Sequence, residues 1–192
     1  MRELRKHIII ALVEDKPGVL NRVASKWRQR GFNIESLAVG HSEVPGLSRM
    51  TFVLGGPAAD VEQVAKQLYK VVDVVRISDL AEDEIVTREL ALMKVNATDQ
   101  NRSAIIAIVE IFRGEIVDVS PDSVVVEVTG VEEKVNAAFE MLKPYGVREL
   151  ARTGRVAVTR GRSLTTLEAG EAAGERRYRP AGEGKPRVGS LL

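Results

Sequence analysis

Apolar residues recur at helical spacing in four segments of the chain. Each segment has them at positions i, i+3, i+4 and i+7, which places their side chains on one face of an α-helix. The four patterns begin at Leu20, Val61, Ile105 and Val135. The sequence therefore predicts four amphipathic helices.

Short runs rich in β-branched residues lie before, between and after these helices. The spacing predicts strands at residues 7–13, 34–39, 49–54, 72–77, 89–97, 115–119, 123–129 and 147–153. The resulting order is strand, helix, strand, strand, helix, strand, and it occurs twice. This order is typical of the split βαβ, or ferredoxin-like, arrangement. The predicted fold class is therefore α+β, with two tandem ferredoxin-like βαββαβ domains.

The first predicted strand is apolar on both faces, because Ile8 to Val13 contains no polar residue. Helices packed on one face of its sheet leave the other face to be covered by something else. A second subunit and burial within the strand's own chain both account for this pattern, and the sequence does not choose between them.

Composition changes at two places along the chain. Residues 81–88 are acidic and polar, which is consistent with a flexible linker or with an extension of the following strand. Residues 161–192 are rich in Gly, Arg and Glu without apolar periodicity, which is typical of a disordered tail. The predicted organisation is a first domain at 1–80, a linker at 81–88, a second domain at 89–160 and a disordered tail at 161–192.

The overall charge and the cysteine content exclude several classes of function. The formal net charge is +1, which gives no basic footprint for a dedicated nucleic-acid binder. The absence of cysteine excludes disulfides, thiolate metal sites and cysteine nucleophiles. The apolar run near the start is too short for a signal peptide, and no segment is long enough to span a membrane. The sequence thus predicts a cytoplasmic protein without a membrane partner.

The segment between the first strand and the first helix is a candidate binding site. Pro17 presets a helical φ, and Gly18 has no Cβ, so the backbone can approach a ligand closely. The amides of Gly18, Val19 and Leu20 would then open a helix N-terminus, which favours a carboxylate. Asp15 could accept a hydrogen bond from an ammonium group. A simple Pro-Gly turn with Asp15 as the helix cap remains the alternative.

A second candidate segment follows the first helix. Gly31 is a helix stop, and Asn33 opens the second strand with both a donor and an acceptor. These properties suit a zwitterion such as a free amino acid, although an Asn that satisfies the local backbone of a turn is also common.

Longer motifs carry a resemblance to a known family. The pattern D-x-P-G-x-L followed by N-I-E-S-L resembles the ACT domain. The runs RGFNIESLAVG, LSRMTFVL, KQLYKVVDVVRISDL, TRELALMKV, EIFRGEIVDVSPDSVVVEVTG and ELARTGRVAVTRG resemble, in order, the small subunits of acetohydroxyacid (acetolactate) synthase. The resemblance covers residues 2–161 and does not extend to the tail.

The resemblance implies an N-terminal ACT domain that forms a homodimer and binds its effector between two copies. The effector is usually valine, with leucine and isoleucine as related branched-chain amino acids. The implied effector site takes residues from both subunits: one contributes Asp15, Gly18, Val19 and Leu20, and the other contributes Asn33 and Ile34. Many relatives have Asn where this chain has Asp15. The carboxylate of Asp15 would accept a hydrogen bond from the ammonium group of the effector, but its charge would repel the effector's carboxylate.

The resemblance also implies a partner and a role. The partner is the catalytic subunit of acetolactate synthase, which carries thiamine diphosphate, magnesium and FAD in branched-chain amino-acid biosynthesis. The chain is expected to stimulate this subunit and to confer feedback inhibition. It is expected to bind no cofactor or metal, to contribute no catalytic residue and to bind no nucleic acid.

Two other functions are weaker alternatives. For an independent enzyme, His7 and His41 lack the spacing of a nucleophile–base pair or a metal site, and both are expected at an edge or on the surface. RNA-recognition domains share the βαββαβ order, but the chain lacks their aromatic signature. The remaining alternative is an ACT- or RRM-like module that binds a small molecule or RNA and regulates another partner.

Overall fold

The computed structural model describes residues 5–162, 164–166 and 177–181. The chain forms two compact units, one made of Met1–Val86 with Ala157–Leu192 and the other of Thr87–Val156. The elements in chain order are β1 (Arg5–Glu14), α1 (Val19–Gln29), β2 (Ile34–His41), β3 (Leu47–Gly56), α2 (Ala58–Leu68), β4 (Val74–Asp79), β5 (Ile85–Asn96), α3 (Arg102–Ile111), β6 (Glu115–Val119), β7 (Ser123–Gly130), α4 (Glu132–Leu142), a 3-10 turn (Lys143–Tyr145), β8 (Val147–Arg152), β9 (Val156–Thr159) and β10 (Arg177–Arg179).

The first unit contains a five-stranded sheet in the order β10-β4-β1-β3-β2. β1 pairs antiparallel with both β3 and β4, and β10 pairs parallel with β4. Helices α1 and α2 cover one face, where Ile9 of β1, Phe52 of β3 and Trp27 of α1 are fully buried in a common core. Alternation along each strand directs these side chains to the helices.

The opposite face of this sheet is covered by the same chain. Ile8, Ile10 and Val53 are buried in a cluster with Leu80 and Ala157. On the same face, Leu12 is buried in a smaller cluster with Leu47 and Val75. The apolar character of both faces of β1 is therefore explained by burial within its own chain.

The second sheet has five strands, with β6-β7-β5-β8 in order and β9 also paired with β5. Helices α3 and α4 pack on one face of this sheet. Met93 of β5, Val126 of β7, Ile105 of α3 and Val135 of α4 are all fully buried in its core. The second βαββαβ unit thus builds its own apolar core.

The structure confirms the predicted fold class and all four amphipathic helices. β5 begins at Ile85, so the second half of the predicted linker is strand, as one of the two interpretations expected. Most of the predicted disordered tail, 161–192, lies outside the described residues. Where it is described, Arg177–Arg179 forms a strand that the sequence pattern did not predict.

The prediction that both histidines lie at an edge or on the surface is wrong for His7. Its side chain is 2% exposed, and Nδ1 lies 3.4 Å from Oδ2 of the equally buried Asp79. The partner is 72 residues away along the chain, so sequence spacing gave no sign of it. His41 is exposed, as predicted. No helix among the described residues is long and apolar enough to cross a membrane.

Candidate functional site

Gly18 sets the start of helix α1. It occupies the N-cap position with φ +82°, in the left-handed region that residues with a Cβ adopt at an energetic cost. Its carbonyl accepts the first hydrogen bond of the helix from the Arg22 amide, at 3.1 Å. Gly18 was predicted to let the backbone approach a ligand closely, and the backbone conformation at this position also favours glycine.

The first turn of α1 has no side-chain cap and contains no acidic residue. Its leading N–H groups have no acceptor within the helix, as at any helix start, and they carry the positive end of the helix dipole. The Val19 amide donates to the Lys16 carbonyl at 3.4 Å, so the amides of Leu20 and Asn21 are the next ones without an acceptor within the helix. This arrangement suits an anionic group.

Asp15 does not cap the helix, so that part of the alternative is wrong, whereas Pro17 and Gly18 do form a turn, as the alternative expected. Its amide donates to the Gly46 carbonyl at 2.9 Å, and its Oδ2 lies 3.1 Å from Nδ1 of His41. Both side chains are exposed, and such surface contacts contribute only about 0–1 kcal/mol. The Asp15 carboxylate therefore stands near the helix start and is free of a capping role.

Two cations beside this helix start are paired with carboxylates. Nε of Arg22 donates to Oδ2 of the largely buried Asp73 at 2.7 Å, and Nζ of Lys16 donates to Oε2 of Glu14 at 2.7 Å. The hydrogen bond and the charge of Glu14 raise the pKa of Lys16. Sequence reasoning missed Arg22, although its position one helical turn after Gly18 could have placed it over the helix start.

The side chains of Val19 and Leu20 point in different directions. Val19 is 2% exposed in the core, whereas Leu20 is 42% exposed. Val19 therefore has no side chain to offer a ligand, while Leu20 can offer an apolar one. The sequence placed both in the site without this distinction.

Asn33 and Ile34 line a cleft of about 350 Å³ along the exposed side of α1. The other lining residues are Asn21, Ala24, Ser25, Arg28 and Phe32. Phe32 packs edge-on against the buried Trp27, with ring centroids 5.9 Å apart, and this contact positions the segment that leads to Asn33. The cleft combines an amide and a guanidinium with an apolar wall.

The structure does not bring the two predicted halves of the site together within one chain. The loop that contains Asp15 and Gly18 precedes α1, and Asn33 follows it. A helix of eleven residues is about 16 Å long at about 1.5 Å per residue, which is too far for one small ligand to touch both ends. No group of three or more His, Asp or Glu side chains in the described parts of the chain could hold a metal ion.

Each of the two βαββαβ units matches a known protein family. The family described as the AHAS small subunit-like ACT domain matches residues 9–76. The family described as the small subunit of acetolactate synthase matches residues 88–161. Together these matches cover both βαββαβ units and stop before the C-terminal extension.

Individual relatives agree with these matches. The chain is 53% identical over 156 residues to the probable acetolactate synthase small subunit of Methanothermobacter thermautotrophicus, covering 81% of this chain and 93% of the relative. It is 49% identical over 157 residues to the acetolactate synthase small subunit of Bacillus subtilis, covering 81% and 91%. The crystal structure of the acetolactate synthase small subunit from Thermotoga maritima is similar, with a TM-score of 0.77 and 44% identity, covering 83% of this chain and 99% of that one. The chain therefore belongs to the family of acetolactate synthase small subunits, and its first unit is an ACT domain.

Proposed function

We propose that this chain is the regulatory subunit of an acetolactate synthase and that a branched-chain amino acid, valine first among them, is its inhibitory effector. The chain stimulates the catalytic subunit when the effector is absent and inhibits it when the effector is bound between two ACT domains. The family membership carries the role of subunit. The geometry around α1 supports the role of effector site.

The length of α1 favours a site that is shared between two copies. In a two-fold dimer, a residue i of one subunit that meets residue j of the other implies the reverse contact as well. Two α1 helices that lie antiparallel across such an axis place the start of each beside the end of the other. The loop with Asp15 and Gly18 then meets Asn33 of the partner copy, which no arrangement within a single chain of this fold achieves.

The exposed strand β2 supports pairing on this side of the domain. β2 is one of the two outermost strands of the sheet as the structure describes it, and the other, β10, has only three residues. An outer strand offers backbone groups to a second chain. Val39 on this strand is 48% exposed, an apolar side chain at the same edge as the cleft along α1. Pairing of two β2 strands would continue the sheet across the dimer.

The chemistry of the shared site fits a free amino acid with an aliphatic side chain. The amides at the start of α1 that have no acceptor within the helix suit the α-carboxylate, and the carboxylate of Asp15 suits the α-ammonium group. The exposed side chain of Leu20 and the half-buried Ile34 offer an apolar surface to an isopropyl group. The charge of Asp15 also repels the carboxylate, so this residue sets the affinity by a balance of two opposed contacts.

Activity of the catalytic subunit tests the proposed role. The purified catalytic subunit from the same source is assayed for acetolactate formation with and without this chain, across a titration of valine. We expect stimulation without valine and inhibition with it, because a coupling of about 1–3 kcal/mol changes an affinity by about 5–150-fold. Absence of both stimulation and a valine response would refute the assignment.

The dimer is tested separately by its mass in solution. Val39→Lys introduces a charge on the exposed edge of β2, and we expect it to shift the light-scattering mass from a dimer towards a monomer. Val72→Lys is the matched control, because Val72 is another exposed valine of the same unit, at 72%, but lies between α2 and β4. Equal masses for both variants and the unaltered chain would contradict pairing through β2.

A further inference from the structure

The C-terminal extension makes specific contacts with the ACT domain. The family match ends at residue 161, yet residues 164–166 and 177–181 are described and pack on the first unit. Strand β10 pairs with β4 in parallel, with Tyr178 opposite Ile77 and Arg179 opposite Ser78. The edge of the sheet that lies farthest from β2 is thus occupied by the chain itself.

The alternation of β10 places its side chains on both faces of the sheet. Tyr178 packs against the core under the helices. On the other face, Nη2 of Arg179 donates to Oδ1 of Asp83 at 2.9 Å, and these side chains are only 8% and 5% exposed. An ion pair this well buried leaves an uncompensated charge if one partner is removed, which makes its loss costly.

Two arginines on the helix-free face of the sheet donate hydrogen bonds to the extension. Arg49 of β3 and Arg76 of β4 both lie opposite Leu12 of β1, on the face away from the helices. Arg49 donates from Nη2 to the Ala157 carbonyl and to Oγ1 of the 5% exposed Thr165, each at 2.8 Å.

Arg76 donates from Nη1 to the Thr166 carbonyl at 2.8 Å. Burial lowers the pKa of Arg49, which agrees with a guanidinium enclosed by the extension rather than open to water. Arginines from two strands thus hold consecutive residues of the extension.

We propose that the described parts of the extension, residues 164–166 and strand β10, form an intrachain clasp that occupies the β4 edge and part of the helix-free face of the ACT sheet, so that β4 is not available to a further chain. An open β4 edge would offer backbone groups to a second copy, and the apolar cluster around Leu12 would add a second contact surface. Strand β10 occupies the β4 edge, and Thr165 and Thr166 bind Arg49 and Arg76, the two arginines opposite Leu12. The clasp uses no residue of the effector site, and it rests on the proposed function only for the use of β2 in the dimer.

Hydrogen exchange on the full chain tests the clasp without an effector or a catalytic subunit. The variants Arg179→Asp and Asp83→Arg each place like charges together, and the double variant restores an opposite pair. We expect each single change to speed amide exchange along β4 by about tenfold or more, because breaking a buried pair is strongly unfavourable and each factor of ten needs only about 1.4 kcal/mol. We expect the double variant to recover most of the protection.

Arg162→Asp is the matched control, since Arg162 belongs to the same extension and is exposed. A chain that ends after Thr166 removes β10 entirely and tests the effect on association. We expect it to exchange rapidly along β4 and to form species heavier than the full chain as concentration rises. If the shortened chain kept the β4 protection and the mass of the full chain, the clasp would be refuted. A full chain that is monomeric but loses β4 protection on truncation would contradict only the dimer through β2.

Discussion

Gly18→Asp separates the effector site from the stability of the ACT domain. Gly18 has φ +82°, where a residue with a Cβ is disfavoured by about 1–2 kcal/mol, although Asp and Asn tolerate this region better than most. A Cβ at this position would lie 3.5 Å from Nη1 of Arg22, an ordinary contact, so no clash adds to the backbone strain. The expected loss of unfolding free energy is therefore about 1 kcal/mol, too little to unfold the domain.

The effect on the effector is larger than this strain. The new carboxylate stands where the proposed site holds the carboxylate of the ligand, and it lies close enough to Arg22 to compete for its charge. A helix start contributes about 0.3–2 kcal/mol to a bound anion, and repulsion between carboxylates adds to its loss. We expect the valine dissociation constant to rise by about tenfold or more, which corresponds to about 1.4 kcal/mol.

Calorimetry with valine and inhibition of the assembled enzyme measure this change. Gly18→Asn is the matched control, because it has the same shape and backbone preference without the charge and should bind valine more tightly than Gly18→Asp. Gly161→Asp places the same charge at another glycine with positive φ, +70°, where no atom lies within 4 Å of a new Cβ. An unchanged dissociation constant in Gly18→Asp would show that the helix start does not bind the effector.

Three further predictions concern the other half of the site and the second unit. Asn33→His enlarges a side chain that lines the cleft beside α1, and we expect weaker valine inhibition with an unchanged dimer mass by light scattering. Ile105→Ala in the second core should lower the unfolding free energy by about 2–5 kcal/mol in denaturant titrations, whereas the 74% exposed Ile111→Ala should change it little. Arg148 lowers the pKa of Asp122 through a hydrogen bond and its charge, so the carboxyl should titrate below its ordinary pKa by NMR, and Arg148→Ala should raise that midpoint. Because the pKa of Asp122 is lower in the folded state, its contact with Arg148 stabilises the fold at pH values above the unfolded-state pKa of this carboxyl. This stabilisation is lost as the pH falls through the folded-state pKa of Asp122.

The sequence predicted those parts of the fold that depend on local periodicity. The helices follow from apolar residues at helical spacing, since such a face is stable only when it packs on a sheet. Contacts between distant residues left no such signal. His7 lies against Asp79, and the pair is buried although the two residues are 72 positions apart along the chain. Strand β10 has the sequence Arg-Tyr-Arg, and its buried Arg179 pairs with Asp83, which is 96 residues away along the chain.

The effector site shows the same limit in a different form. Each half was predicted from its own residues, because a Gly at a helix start and an Asn after a helix stop have local physical meaning. Their distance depends on the length of α1, which separates them within one chain, and the proposed dimer is what would bring them together across a two-fold axis. The described sheet ends in the eight-residue β2 on one side and in the three-residue β10 on the other, so the proposed axis lies along the longer free edge, β2. Strand β10, which the sequence pattern did not predict, thus occupies the β4 edge, and the proposed effector site would be formed along the β2 edge.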